Sequence, residues 1–141
     1  MFKLILSTLI LFIVLALEPK SSHAQCNCSA EGDVKNAYNE AAVVFIGSVQ
    51  KISPSNYKQG YNEILFKILH IFKGIDELRN QEVVIYTPSN ESECSYSFYQ
   101  SFEYVVYATG KPIFYTTTSC KRNVILEKAY DEMIKLKQLS K

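Results

Sequence analysis

Tyr61-Asn62-Glu63-Ile64-Leu65-Phe66-Lys67-Ile68-Leu69-His70-Ile71-Phe72 alternates with a period of two, and Lys73-Gly74 ends it. Ile64, Phe66, Ile68 and Phe72 fall on one row, while Glu63, Leu65, Lys67, Leu69 and Ile71 fall on the other. Period two is the signature of a strand with one buried face, so the first row is the expected inner face. His70 lies on that row and reads as a structural or partly exposed histidine rather than a catalytic one.

Strand patterns continue on both sides. Upstream, Ala42 to Ile52 carries Val43-Val44-Phe45-Ile46, then Gly47, Val49 and Ile52, and the glycine marks a bulge or sharp bend. Ser53-Pro54-Ser55-Asn56 and Lys58-Gln59-Gly60 form the connection. Downstream, Glu82 to Tyr86 is a third strand, and Thr87-Pro88-Ser89-Asn90 opens a loop that holds Cys94. Phe102, Tyr104, Val106 and Ala108 alternate with Glu103, Val105 and Tyr107 in a fourth, and Gly110-Lys111-Pro112 turns it into a fifth, Ile113 to Thr117.

Helical spacing occurs only at the two ends of this series. Val34, Ala37, Tyr38 and Ala41 recur at i, i+3, i+4 and i+7 behind Asp33, an expected N-cap. Leu126, Ala129, Met133 and Leu136 recur at i, i+3, i+7 and i+10 among charged residues, as in an amphipathic helix laid on a domain. Five short strands without βαβ alternation point to a small closed or partly closed barrel. The expected fold is all-β with flanking helices: a five-stranded OB-type barrel, a short N-terminal helix and a C-terminal amphipathic helix.

The chain has 141 residues, 48% of them hydrophobic, a length that suits one small domain. The apolar content is uneven, because Leu4 to Leu17 is interrupted only by Ser7 and Thr8. That run is shorter than the roughly 20 residues of a membrane span. It follows Lys3 and precedes the small-x-small site Ser22-His23-Ala24, so residues 1–24 read as a secretory signal peptide and 25–141 as the exported domain. Loss of Lys3, Lys20 and Glu18 leaves acidic and basic residues balanced, which argues against nucleic acid. The expected location is outside the cell or in a periplasm, with no membrane attachment after the signal is removed.

Export gives Cys26, Cys28, Cys94 and Cys120 their meaning: four cysteines in a small secreted chain suggest two disulfides. Three pairings exist. A bond between Cys26 and Cys28 would close a very small ring, so long-range pairing is favoured, with a reactive Cys-x-Cys thiol pair or a zinc site as alternatives. Zinc fits poorly, since Cys94 and Cys120 stand alone in sequence.

Catalytic chemistry finds little here. His70 is the single histidine after residue 24, no carboxylate pair sits in a distinctive motif, and Gly47, Gly60, Gly74 and Gly110 are isolated. The reading is therefore not an enzyme and holds no cofactor. Tyr96, Phe98 and Tyr99, just after Cys94, are the best candidates for an exposed aromatic group, although packing is the favoured role even there. Asn27-Cys28-Ser29 and Asn90-Glu91-Ser92 are N-glycosylation sequons that matter only in a glycosylating host.

The order Cys26-Asn27-Cys28, a short helix, Val43-Val44-Phe45-Ile46-Gly47-Ser48-Val49, Phe66-Lys67-Ile68-Leu69-His70-Ile71-Phe72-Lys73-Gly74 and Tyr86-Thr87 before Cys94 resembles the tissue inhibitors of metalloproteinases. More narrowly, it is similar to short single-domain homologues of their inhibitory N-terminal domain, over nearly all of Cys26 to Cys120. The resemblance implies an OB-type barrel, disulfides Cys26–Cys94 and Cys28–Cys120, and a monomer whose partner is a zinc metalloendopeptidase. It makes Cys26 the chelator of the protease's zinc through its amine and carbonyl, and Asn27 the residue entering the specificity pocket. Cys28 and Ser29 continue that inhibitory edge, and Ser92 and Glu93 make a second contact. Chelation requires a free amine on Cys26, which cleavage after Gln25 would provide and cleavage after Ala24 would not. The other functional class is a secreted protein- or glycan-binding module that presents Tyr96, Phe98, Tyr99 or the Asn90 loop and touches no zinc.

Overall fold

The computed structural model describes residues 26–28, 32–74, 81–89 and 94–141. The export segment 1–24 and Gln25 lie outside the described residues. The period-two stretch forms β2 (Tyr61–Lys73), paired antiparallel with β1 (Val43–Pro54) on one side and β3 (Glu82–Pro88) on the other. β3 runs parallel to β5 (Phe114–Thr116), β5 pairs antiparallel with β4 (Glu103–Lys111), and β4 returns antiparallel to β1. Those five strands close into a mixed barrel of OB type, as expected from the strand count. Closure leaves few unpaired strand edges, which is how small all-β folds avoid edge-to-edge association.

A sixth strand, β6 (Val124–Ile125), was not legible in the sequence and pairs with Tyr104 and Val105 of β4. β3 also continues through Thr87 and Pro88, which the sequence placed in a loop. Two residues of ladder beyond Tyr86 are bonded to Tyr61 and Asn62, so pairing overrides the turn-forming preference of proline at a strand end.

The barrel interior takes Phe45, Val49, Ile64, Phe66, Ile68, Ile85, Val106 and Tyr115. A second apolar layer lies outside the barrel, where Val44, Ile46, Val105 and Tyr107 meet helices α1 (Val34–Glu40) and α2 (Tyr130–Leu139). The run Val43 to Ile46 is therefore buried on both faces, which is why it reads as continuous rather than alternating.

β1 and β2 do not stay in simple register. Shifts occur between Val44 and Phe45, Ile46 and Gly47, and Val49 and Lys51. Each bulge reverses which residues face the interior, so Ile71 packs against the barrel core while Phe72 turns to the helical layer. His70 is consequently exposed, with its ring edge-on to Phe72 at 4.6 Å, and not on an inner row. Gly47 allows the coiling, because a Cβ there would sit 2.7 Å from Phe45 and 2.9 Å from Phe66.

α1 begins where expected, with Asp33 Oδ1 accepting from the Asn36 amide at 2.8 Å. Its other end is held by Lys73, whose Nζ donates to the Tyr38 and Asn39 carbonyls at 2.7 and 3.0 Å. The expected C-terminal helix divides into a 3-10 turn, Leu126–Lys128, and α2. Ala129 and Leu136 are buried against the barrel.

One polar network secures α2. Glu132 accepts from Arg122 Nε at 3.0 Å and Arg122 Nη2 at 2.8 Å, and from the Tyr107 hydroxyl at 2.5 Å. Tyr107 pairs with Val44 of β1 on one side, but on the other edge of β4 it falls between the β5 and β6 pairings and has no strand beside it. Its N–H donates to Asn123 Oδ1 at 2.9 Å and its carbonyl accepts from Thr117 Oγ1 at 2.7 Å, so two side chains stand in for a strand.

Candidate functional site

Both long-range disulfides join the N-terminal segment to the far half of the domain: Cys26 to Cys94 and Cys28 to Cys120, with Cα atoms 5.0 and 5.2 Å apart. These are the pairs implied by the resemblance. Among the described residues there is no free cysteine, which removes the reactive thiol pair as the resting state.

The inhibitory reading of this edge is corrected by what the cysteines do. An inhibitory edge must offer its donor atoms outward to the zinc of another protein. Here Cys26 and Cys28 are tied separately to Cys94 and Cys120, and the sulfurs of Cys26, Cys28 and Cys120 lie within 4.8 Å of one another; as disulfide sulfurs they would have to be reduced to thiolates before they could hold a metal. The Cys-x-Cys segment is thus a doubly cross-linked part of a three-sulfur cluster and not a free edge, and the zinc-chelating blockade of a metalloendopeptidase is set aside. Asn27 is exposed between the two half-cystines, whereas Ser29, Ser92, Glu93 and the Asn90 loop lie outside the described residues.

The aromatic candidates after Cys94 separate by role. Phe98 is buried and meets Phe66 edge-on at 5.2 Å and Tyr104 at 5.0 Å, so it plugs one end of the barrel. Tyr96 packs on Phe98 at 4.6 Å and donates its hydroxyl to the Asn123 carbonyl at 3.1 Å. Tyr99 alone is exposed, at 61%, with Phe102 beside it at 6.2 Å.

A larger aromatic group stands elsewhere. Ser55 organises the turn between β1 and β2: its Oγ donates to Glu63 Oε1 at 2.7 Å and accepts from the Tyr57 and Lys58 amides at 3.1 and 3.0 Å. That turn lays Tyr57 over the outer face of β2, β3 and β5. Its ring is 6.0 Å from Tyr86 and 5.7 Å from Phe114, while Phe114 is 4.6 Å from Tyr86 and 6.0 Å from Tyr61. Lys58 Nζ covers Tyr61 at 4.3 Å and Phe114 at 5.0 Å. At the rim, Tyr57 is 67% exposed and Ile113, at the β4–β5 turn, is 80% exposed. Gly110 makes that turn possible, with φ 108° and the space for a Cβ filled by the Phe114 carbonyl.

Sequence reasoning missed this group because its members come from four separate segments. In the sequence Tyr61 and Tyr86 are ordinary strand residues, and Tyr57 lies between two turn clusters without a pattern of its own. No local pattern marks the group, because the barrel core holds as many aromatic residues, among them Phe45, Phe66, Phe98, Tyr104 and Tyr115.

No protein-family model matches the chain, and no curated protein matches it. The OB-type barrel is therefore established by the strand pairings alone.

Proposed function

We propose that the domain is a secreted, non-catalytic binding module that docks a protein partner on Tyr57, which stands on a floor of Tyr61, Phe114 and the buried Tyr86, with Lys58 and Ile113 at its rim. The observation that carries this reading is a cluster of aromatic rings on a rigid barrel with Tyr57 67% and Ile113 80% exposed. Large exposed apolar side chains gathered in one place mark interaction surfaces, and tyrosine and phenylalanine dominate interface energetics. Export is supported by the Leu4 to Leu17 run and by two disulfides, which persist in oxidising compartments.

A protein fits this patch better than a glycan. Sugars stack on flat, open ring faces, whereas these rings are mutually tilted by 36 to 58° and Lys58 occupies two of the faces. Tyr57 and Ile113 project as anchors for a pocket on the partner, and Lys58 favours a partner whose rim is acidic. Resemblance to the tissue inhibitors supports the barrel and its disulfide framework and is carried no further.

A photo-crosslinking aromatic at position 57 tests the proposal against the same probe at Tyr130, which is exposed on α2. A captured protein should bind wild type in a purified system and bind Tyr57→Ala and Ile113→Asp at least about tenfold more weakly, with circular dichroism unchanged. Equal affinity for all three proteins would discard this surface.

A further inference from the structure

The four sulfurs form one continuous series, bent at Cys120. Cys94 Sγ is bonded to Cys26 Sγ, Cys26 Sγ rests 3.3 Å from Cys120 Sγ, and Cys120 Sγ is bonded to Cys28 Sγ. Neither inner sulfur carries a proton, so the 3.3 Å approach is a nonbonded contact between two disulfides. Exchange between a thiol and a disulfide requires a thiolate beside a disulfide sulfur and access for the first nucleophile. The series meets the first requirement as soon as either bond is opened at its outer sulfur. It meets the second at one end, since Cys28 is exposed and lines, with Cys120, a groove of about 840 Å³.

We propose that the two disulfides form a sulfur relay, in which a thiolate attacking one outer cysteine, Cys28 or Cys94, releases the other as a thiolate through a new Cys26–Cys120 bond. Attack by a small thiolate on Cys28 Sγ forms a mixed disulfide there, breaks Cys28–Cys120 and leaves the bonding pair on Cys120. The Cys120 thiolate is already 3.3 Å from Cys26 Sγ. It forms Cys26–Cys120, breaks Cys26–Cys94 and expels the Cys94 thiolate. One thiolate enters and one leaves, so no net oxidant or reductant is consumed. Entry at Cys94 runs the same two steps in reverse order and frees Cys28.

The relay makes the outer cysteines covalent attachment sites for a thiol-bearing molecule, while the inner bond keeps the N-terminal segment stapled to the domain. Simple reduction of one disulfide in place would instead expose an inner cysteine. Those two products are chemically distinct.

Native protein treated with limiting glutathione, quenched in acid and alkylated with N-ethylmaleimide distinguishes them by peptide mapping. The expected product carries glutathione on Cys28 and maleimide on Cys94, or the reverse, together with a Cys26–Cys120 peptide. Maleimide on Cys120 or Cys26 with the other native disulfide intact overturns the relay. So does a product mixture identical to that formed in denaturant, because the fold would then direct nothing. A second test uses Cys94→Ser, which leaves Cys26 without its partner. The relay places alkylation on Cys28 as well as Cys26, and labelling confined to Cys26 refutes it.

Discussion

Replacing Glu132 with glutamine tests whether the network under α2 holds the helix to the barrel as charge pairing or merely as packing. Gln is nearly isosteric and keeps an oxygen for the Tyr107 hydroxyl, 2.5 Å away, but removes the charge facing Arg122 at 2.8 and 3.0 Å. Breaking a fully buried pair costs about 3–5 kcal/mol. Arg122 is 36% exposed, so water recovers part of that, and about 2–3 kcal/mol remains. For a domain of this size the loss corresponds to a fall in Tm of about 10 °C. Urea denaturation at neutral pH gives the free energy directly.

The pH dependence separates the two readings. Burial pushes the Glu132 carboxyl up, but the Arg122 hydrogen bond, the Tyr107 hydrogen bond and the Arg122 charge outweigh it and hold the group below its ordinary value. A carboxyl whose folded value is depressed adds stability that is complete above the unfolded value and is lost as pH falls through the folded one. Wild type should therefore lose stability through the acid side of the usual carboxylate range, and Glu132→Gln should lack that component. The gap between the two proteins narrows in acid. A Gln variant within 0.5 kcal/mol of wild type at neutral pH, with the same acid slope, would refute the argument.

Three further outcomes follow from other parts of the fold. Tyr107→Phe should cost about 1–2 kcal/mol by losing the bond to Glu132. Burial, then the Glu132 hydrogen bond, raises the Tyr107 hydroxyl above its ordinary value, so that stability contribution is present below about pH 10 and is lost as pH rises; alkaline unfolding should be shallower in the Phe variant. Gly47→Ala should cost about 1–3 kcal/mol through overpacking against Phe45 and Phe66, and a thermal melt unchanged from wild type would show that β1 can shift to make room. Asp33→Ala should cost about 1 kcal/mol by removing the 2.8 Å cap on the Asn36 amide, read from the urea midpoint at constant slope.

The legible parts of this protein were those encoded by local periodicity. The alternation from Tyr61 and the paired rows of Phe102 to Ala108 became β2 and β4 because their hydrogen-bond partners lie along the whole segment. The spacing behind Asp33 became α1 for a similarly local reason, a side chain that satisfies an amide three residues on. His70 shows where that reasoning stops. Its row is correct up to Ile68, but the bulge between Ile46 and Gly47 lies on the neighbouring strand, and no residue of β2 announces it. β6 was invisible because two residues carry no period, and Val124 and Ile125 are extended only because β4 offers them a ladder.

The site divides along the same line. Sequence alone determined that five strands and two helices exist and that Gly47 breaks the regular pairing, and it favoured long-range disulfides for the four cysteines. Tertiary structure decided how the ends of those elements meet: it turned the Cys26 and Cys120 sulfurs to 3.3 Å from one another and gathered Tyr57, Tyr61, Tyr86 and Phe114 from four segments. The reason is physical. A period records only which face of an element is buried, whereas the contact between two disulfides and the gathering of aromatic rings depend on barrel closure, which brings together residues that share no local pattern.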